Sequence, residues 1–297
     1  MKLYKILEKT LILIEENLKE NLVADDYSKI LNISTVHLRR IFKSSFGITL
    51  SSYIRSRKLS ESLEMLSNSS FTILDVALEY NFGHAQSYTR AFRNEFGITP
   101  AEFKKSKRIL KIKPPIKLFN ENNIDGSLLF GPEIVYINEF QITGKKHIIP
   151  NSSGDELAAG VAHNFWLYDK DKVMYKEVPY VYIGLTKNSD TFLDYTEYYT
   201  SVLTSKNSKR QGDFYKNIIP SGLYIKFKFI GEGHPIENGF NASVADAMYN
   251  AIDKFEEENI GYTLYNENES IYFERISEED YDGTYFVMEW FTPVYEK

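Results

Sequence analysis

Residues 72–100 read TILDVALEYNFGHAQSYTRAFRNEFGITP, and the punctuation of this stretch decides the fold of the N-terminal half. Thr72-x-x-Asp75 has the spacing of a capping box, in which each end residue satisfies the other's backbone N–H. Gly97 follows the last apolar residues of the next helix, where a left-handed residue is wanted. Thr99-Pro100-x-Glu102 then opens another helix, with Pro at the first helical position, where no N–H is needed. The stretch is a short helix, a turn, a second helix and a glycine stop.

Shifting the sequence by 50 residues finds the same unit again. Phe42-x-x-x-Phe46-Gly47-Ile48-Thr49 lies over Phe92-x-x-x-Phe96-Gly97-Ile98-Thr99, Asp25 over Asp75, and Arg40 over Arg90. Between the copies, Leu59, Leu63 and Leu66 form a helical stripe whose other face carries Arg55, Arg57, Lys58 and Glu61, which predicts one long helix joining two helix-turn-helix units. Upstream, Leu3, Leu7, Leu11, Ile14 and Leu18 recur at three- and four-residue steps and predict a helix over residues 3–19. Downstream, Lys104-Lys105-Ser106-Lys107-Arg108, Pro114-Pro115 and the Asn-rich residues 120–125 read as a linker.

The two sides of that linker differ in charge. Residues 1–113 carry 19 Lys and Arg against 12 Asp and Glu, net +7, whereas residues 114–297 carry 16 against 29, net −13. Of the 22 tyrosines, 17 follow residue 113, as do both tryptophans. A chain of 297 residues with 43% apolar and 26% charged types has material for two cores and is not a disordered, collagenous or coiled-coil protein. The absence of cysteine excludes disulfides, thiolate metal sites and cysteine nucleophiles. The apolar run at residues 11–14 is too short for a membrane span or a signal-peptide core, so a cytoplasmic protein without membrane partners is expected.

After the linker the period changes. Residues 180–185, 223–230, 271–276 and 285–292 are β-branched and aromatic runs of strand length. In the second, Ile225, Phe227 and Phe229 alternate with Tyr224, Lys226 and Lys228, as a sheet with one wet face requires. Helices are expected around Leu157, Val161 and Tyr168, and around Ala245, Met248, Ile252 and Phe255. The whole reads as a multidomain chain, an all-α double helix-turn-helix domain followed by an α+β domain.

A helix in the major groove reads base edges while its flanks hold phosphates. The helix over residues 34–46 offers Thr35, His37, Arg39 and Arg40, with Leu38, Ile41 and Phe42 inward. Its counterpart offers His84, Gln86, Ser87, Thr89 and Arg90, with Tyr88, Ala91 and Phe92 inward. Arginine is the commonest reader of guanine, so Arg40 and Arg90 are the principal base readers, and Lys43, Arg93, Arg55, Arg57 and Lys58 are phosphate contacts. His37 and His84 read equally well as partly buried helix residues.

Residues 1–108 resemble the DNA-binding domain of AraC/XylS-family transcription regulators. The resemblance is carried by Ile33-Ser34-x-x-x-Leu38-x-Arg40-x-Phe42-Lys43-x-x-x-Gly47 and by Ile73-x-x-Val76-Ala77-x-x-Tyr80-x-Phe82, continuing to Tyr88-x-Arg90-x-Phe92-Arg93-x-x-Phe96-Gly97-x-Thr99-Pro100. It implies two helix-turn-helix units on a shared central helix, with double-stranded DNA as partner. Ser28 and Asn32 stand where that family usually has Ala and Gly, and both are small or turn-tolerant. Val36 occupies a position where the family often has a base-contacting aromatic or polar residue.

In the acidic half, Tyr285, Val287, Glu289 and Phe291 share one strand face and Phe286, Met288 and Trp290 the other. Glu289 should therefore be buried, and Glu274 is similarly flanked by Tyr272 and Ile276. A buried carboxylate is costly unless paired or protonated. Each glutamate either bonds a tyrosine hydroxyl or backbone N–H, or waits for a ligand cation held between carboxylate and aromatic faces.

Residues 132–297 resemble the GyrI-like effector-binding domain of multidrug-responsive regulators. The matching pieces are Glu139-Phe140-x-x-x-Gly144, Asn164-Phe165-Trp166, Pro220-x-Gly222-x-Tyr224 with Phe227 and Gly231, and the ending Glu289-Trp290-Phe291-Thr292-Pro293-Val294. The resemblance implies an antiparallel sheet built from a duplicated strand-helix-strand-strand unit, and a groove for aromatic or cationic molecules. Carried over, Glu274 and Glu289 take the acidic positions, and Trp166 and Tyr224 the pocket-wall or core positions.

The domains expected are thus 1–108 for DNA, 109–131 as linker and 132–297 for an effector. The function expected is a DNA-binding transcription regulator responding to a small amphipathic, cationic molecule, with no catalytic residue, cofactor or metal. Two alternatives stand beside it. One is a GyrI-like hydrolase using Glu274 or Glu289 with Tyr224; no Gly-x-Ser-x-Gly, His-Glu-x-x-His or phosphate loop argues for other chemistry. The other is an adaptor whose acidic face binds a basic protein or RNA polymerase.

Overall fold

The computed structural model describes residues 2–106, 109–150, 154–188, 194–205, 212–235, 242–259, 261–264, 270–281 and 283–296. The chain forms two compact units, Met1–Phe119 and Asn120–Lys297. Lys107 and Arg108 of the expected linker lie outside the described residues.

The first unit is helical: α1 (Leu3–Glu16), α2 (Ala24–Leu31), α3 (Thr35–Phe46), α4 (Leu50–Ser67), α5 (Ile73–Glu79), α6 (Ala85–Phe96) and α7 (Pro100–Ser106). Helix α1 stops at Glu16, short of the expected Lys19, although Leu18 stays 5% exposed because the chain still packs inward after the helix ends. The capping box closes as its spacing requires. The Asp75 N–H donates to Thr72 Oγ1 at 3.1 Å and the Thr72 N–H to Asp75 Oδ2 at 2.7 Å. These bonds from Thr72 hold the Asp75 carboxyl below its ordinary pKa.

The 50-residue repeat is a repeat of packing. Gly47 and Gly97 end α3 and α6 with φ of 71° and 74°, conformations that a Cβ would strain. Phe42 meets Phe46 edge-on at 4.8 Å, and Phe92 meets Phe96 at 4.7 Å. The repeat runs one helix further than its motifs suggest, since Tyr53 at the start of α4 contacts Phe42 as Phe103 in α7 contacts Phe92. Asn32 takes the left-handed conformation after α2, with φ of 55°.

Two expected phosphate contacts are corrected here. Arg57 is 5% exposed; its Nε and Nη2 donate to Glu15 at 2.8–3.0 Å and its Nη1 to the Lys113 carbonyl at 2.8 Å. Lys58 is 9% exposed and its Nζ donates to the Glu20 carbonyl at 2.9 Å, with burial pushing its pKa down. Helix α4 is the shared centre of the two helix-turn-helix repeats, so its second face is covered as well. The segment read as a linker is divided. Lys113 and Ile116 donate their backbone N–H groups to Ser60 Oγ and the Tyr53 hydroxyl, while residues 120–131 already belong to the second unit.

That unit comprises β1 (Asn123–Ile124), β2 (Ser127–Ile137), β3 (Phe140–Pro150), α8 (Gly154–Tyr168), β4 (Val181–Asn188), β5 (Tyr195–Thr204), β6 (Tyr215–Ile219), β7 (Gly222–Glu232), α9 (Ala242–Glu258), β8 (Tyr262–Thr263), β9 (Ser270–Tyr281), β10 (Tyr285–Pro293) and β11 (Tyr295–Glu296). Among the described residues, nine strands make one antiparallel sheet in the order β1-β2-β7-β10-β9-β4-β5-β3-β6, and β8 pairs with β11. The order is that of a duplicated unit, β3-α8-β4-β5 against β7-α9-β9-β10, with β4 and β9 at the centre. A 90-residue shift carries the pairs Ile183↔Ser201 and Gly184↔Thr200 onto Phe273↔Phe291 and Glu274↔Trp290. Because β4 and β9 run antiparallel with Gly184 opposite Glu274, the local pseudo-twofold passes through that pair.

One sheet face packs on the helices, joining Phe165, Met248, Ile252 and Phe255 to Ile225, Phe227, Phe229 and Trp290. The other face is not wet, contrary to the alternation in β7. Tyr224 is 1% exposed there, in a cluster with Ile183, Phe273 and Phe291. A single strand's pattern shows which side chains share a face but not whether the sheet curls that face shut.

Candidate functional site

In the first unit α3 and α6 present matching stripes. Val36, Arg39, Arg40 and Lys43 follow one another at three- and four-residue steps, as do Gln86, Thr89, Arg90 and Arg93, opposite the buried residues Leu38, Ile41 and Phe42 or Tyr88 and Phe92. Arg39, Lys43, Gln86, Arg90 and Arg93 are exposed, while His37, Arg40, Ser87 and Thr89 are half-buried. Val36, at the second position of α3, is 76% exposed. Two expected readers sit differently. Thr35 Oγ1 lies 2.8 Å from Ser28 Oγ and ties α3 to α2, and His84 is the residue before α6. Arg39 lies 3.4 Å from Asp25 Oδ1 with both side chains more than half exposed, a pair weak enough for phosphate to displace.

In the second unit the four expected ligand residues do not come together. Glu274 and Trp166 lie on the helix-bearing side, and Glu289 and Tyr224 on the other. Glu289 is not the orphan that its strand suggests. The β9–β10 register puts it opposite Arg275, whose Nη1 donates to Glu289 Oε2 at 2.8 Å, and Lys226 Nζ stands 4.0 Å from its other oxygen. Arg275 does alternate away from Glu274, and for that reason it shares a face with Glu289. Tyr224 packs on Phe273 at 5.7 Å and donates its hydroxyl to the Pro220 carbonyl at 2.9 Å, a core position.

Glu274 is enclosed by aromatics. The Tyr198 hydroxyl donates to Glu274 Oε1, and the Tyr182 and Tyr198 hydroxyl oxygens are 2.8 Å apart. The indole of Trp166 meets Tyr182 edge-on at 6.2 Å, and Trp290, paired with Glu274 across the ladder, lies 5.4 Å from Tyr272. Burial raises the Glu274 carboxyl to about 7, and the same burial, with Glu274 beside them, holds both tyrosines well above their ordinary values. Gly184 makes the arrangement possible, because a Cβ there would overlap Glu274 Oε1 and the Tyr198 hydroxyl. Tyr182 was visible as a strand residue. Tyr198 lay in a polar-looking run, residues 195–204, whose signal is the inward alternation of Tyr198, Thr200 and Val202.

Residues 27–106 match the family model of a helix-turn-helix domain, and residues 131–282 match that of a GyrI-like small molecule binding domain. The TetD protein of transposon Tn10 from Escherichia coli is 36% identical over 102 residues, covering 34% of this chain and 74% of that protein. The transcriptional activator AarP of Providencia stuartii is 33% identical over 101 residues, covering 34% and 75%. This chain belongs to the AraC-type regulators with a GyrI-like domain.

Other relatives of this AraC-type chain are matched over a smaller share of their length. The transcriptional regulator Rob of Salmonella typhimurium is 37% identical over 115 residues, which is 38% of this chain and 40% of Rob. Among solved structures, an AraC-type regulator from Chromobacterium violaceum aligns with a TM-score of 0.32 at 29% identity, over 35% of this chain and 91% of that one. The EcmrR C-terminal domain aligns with a TM-score of 0.38 at 16% identity, over 58% and 99%. Among the described residues of this AraC-type chain, no helix is long and apolar enough to cross a membrane, and no three His, Asp or Glu side chains are grouped to hold a metal ion.

Proposed function

We propose that this AraC-type chain is a one-component transcription regulator, in which residues 1–108 read double-stranded DNA, 109–131 join the halves and 132–297 bind a small amphipathic cation of the kind found among antimicrobial dyes and drugs. The observation that carries the DNA reading is the pair of helices α3 and α6, whose stripes opposite the buried face repeat Arg40 and Lys43 as Arg90 and Arg93. Two such helices in one chain can enter successive major grooves about 34 Å apart without a dimer. In the groove, Arg40, Arg90 and Gln86 read base edges, and His37, Arg39, Ser87 and Thr89 flank them. Lys43 and Arg93 hold phosphate.

The effector site is centred on Glu274 and its aromatic neighbours Trp166, Tyr182, Tyr198 and Trp290. Glu289 and Tyr224 support the opposite face of the sheet and are not part of it. The test is selection of bound duplexes from a random library by the full-length chain, with and without a panel of cationic dyes. One enriched site whose occupancy changes with a dye supports the reading; no enrichment in either condition overturns it.

A hydrolase reading gains one observation, since a tyrosine, Tyr198 rather than Tyr224, touches Glu274. A bound effector recovered chemically unchanged after prolonged incubation refutes it.

A further inference from the structure

The helix-bearing face of the sheet buries a carboxylate, Glu274, with no cation against it among the described residues. From β9, Glu274 is flanked by Tyr272 and Ile276; from β10, Trp290 stands opposite; and from β4 the facing residue is Gly184, with Tyr182 beside it. From β5 comes Tyr198, whose hydroxyl donates to the carboxylate. The core of this face also includes Met248, Ile252 and Phe255 of α9, and from α8 Phe165 and Trp166 lie 6.4 Å and 6.2 Å from the Tyr182 ring.

The charged groups around this face are committed elsewhere. Lys170, beyond α8, lies 3.3 Å from Asp171, over the Tyr180 ring at 4.6 Å and over the Trp166 ring at 5.4 Å. Lys145 lies three strands from β9, about 14 Å at the usual strand spacing, and is bonded to Asp169 at 2.7 Å. His147, paired in register with Tyr198, contacts Thr200 Oγ1 at 3.0 Å, and burial pushes its pKa down. His163 meets His234 edge-on at 5.7 Å, and His234 meets Tyr281 near the far end of β9. On the opposite face, Arg275 is matched with Glu289.

An isolated carboxylate in such surroundings cannot stay charged without loss of several kcal/mol of hydration. We infer that the counter-ion of Glu274 in the effector-free protein is a proton, and that a cationic effector binds by replacing it one for one. The carboxylic O–H bond breaks, its electron pair stays on Glu274, the proton passes to solvent, and the cation takes its place against the carboxylate and the tyrosine rings. The site is then an exchanger, in which acidity competes with effector. The raised carboxyl value, about 7, places the exchange within the physiological range. The inference rests on the reading of Glu274 and its aromatic neighbours as a cation site. It adds that a permanent cation must expel a proton, whereas an amine too weak to be charged in solution can enter neutral and take the proton from Glu274, releasing none.

The experiment is calorimetric titration of the full-length chain with tetraphenylphosphonium, whose charge does not vary with pH. It is run near pH 6, 7 and 8 in phosphate and in Tris, whose ionisation enthalpies differ. Close to one proton released per cation is expected near pH 6 and few near pH 8, with affinity rising about tenfold per pH unit in the acid range and levelling above the carboxyl value. Glu274→Gln should abolish both the release and the pH dependence, and His147→Asn should leave them. Binding without proton release sinks the exchange and leaves the cation site standing; release that persists in Glu274→Gln assigns the proton elsewhere and overturns the inference. No binding at any pH overturns the cation site and the exchange together.

Discussion

Gly184 and Glu274 face each other at the centre of the nine-stranded sheet, and the glycine's missing side chain is the space that the glutamate fills. The two are counterparts under the 90-residue repeat and face each other on its local pseudo-twofold, where two bulky side chains would collide. Gly184→Ala should push the carboxylate off Tyr198, lower stability by about 1–3 kcal/mol and remove cation binding. Adding Glu274→Ala should return most of the stability and none of the binding. Denaturant unfolding of the two variants against the wild type checks this; additive losses in the double variant would show that the pair is not in contact.

Glu274 also sets a pH dependence of stability. Its folded value of about 7 lies above the ordinary carboxylate range, so the folded state holds the proton more tightly. That contribution is complete at acid pH below the unfolded value and disappears as pH rises through 7. A loss on the order of 2–3 kcal/mol is expected between about pH 5 and 8. His147 acts in the opposite sense, because its lowered pKa makes stability rise as its unfolded form deprotonates. The difference between wild type and Glu274→Gln isolates the carboxyl contribution, and a difference that does not vary with pH would contradict the assignment.

On DNA, Arg40→Ala and Arg90→Ala should each cost about 1–3 kcal/mol of specific binding and relax one half of the site. Lys43→Ala should weaken every sequence alike and reduce the salt slope by about 1. Val36 is the exposed apolar side chain at the start of α3, and its counterpart in α6 is Gln86. The thymine methyl is the apolar group on the major-groove edge, so replacing the contacted dT by dU should weaken wild type about fourfold and leave Val36→Ala unaffected. Equilibrium binding to the selected site and its substituted forms measures each. Uniform loss in both arginine variants would remove them as base readers.

Arg57 should act on stability rather than on DNA. Removing one partner of a buried fork costs about 3–5 kcal/mol, so Arg57→Ala should unfold the first unit at lower denaturant, and Arg57→Lys should recover little because it lacks the planar fork for Glu15. A fragment ending at residue 119 should fold and bind DNA alone. One ending at residue 113 should be weaker, since it lacks the Ile116 N–H that donates to the Tyr53 hydroxyl. Thermal melts of the two fragments decide this; equal midpoints would show the docked segment to be without effect.

The helical half was legible because its signals are local. A capping box spans four residues, a glycine stop marks one left-handed position, and a buried stripe at three- and four-residue steps needs no knowledge of what covers it. Even there, Arg57 and Lys58 read as surface cations, because the Arg57 partners Glu15 and the Lys113 carbonyl, and the Glu20 carbonyl bonded to Lys58, approach α4 from 42, 56 and 38 residues away in sequence. In the sheet the strands and their alternating faces were readable, and with them the oddity of a glutamate among aromatics. Which glutamate kept that oddity was decided by register. Glu289 drew Arg275 from the neighbouring strand, and Glu274 drew Gly184 and two tyrosines, because strand pairing brings together residues that no local pattern relates.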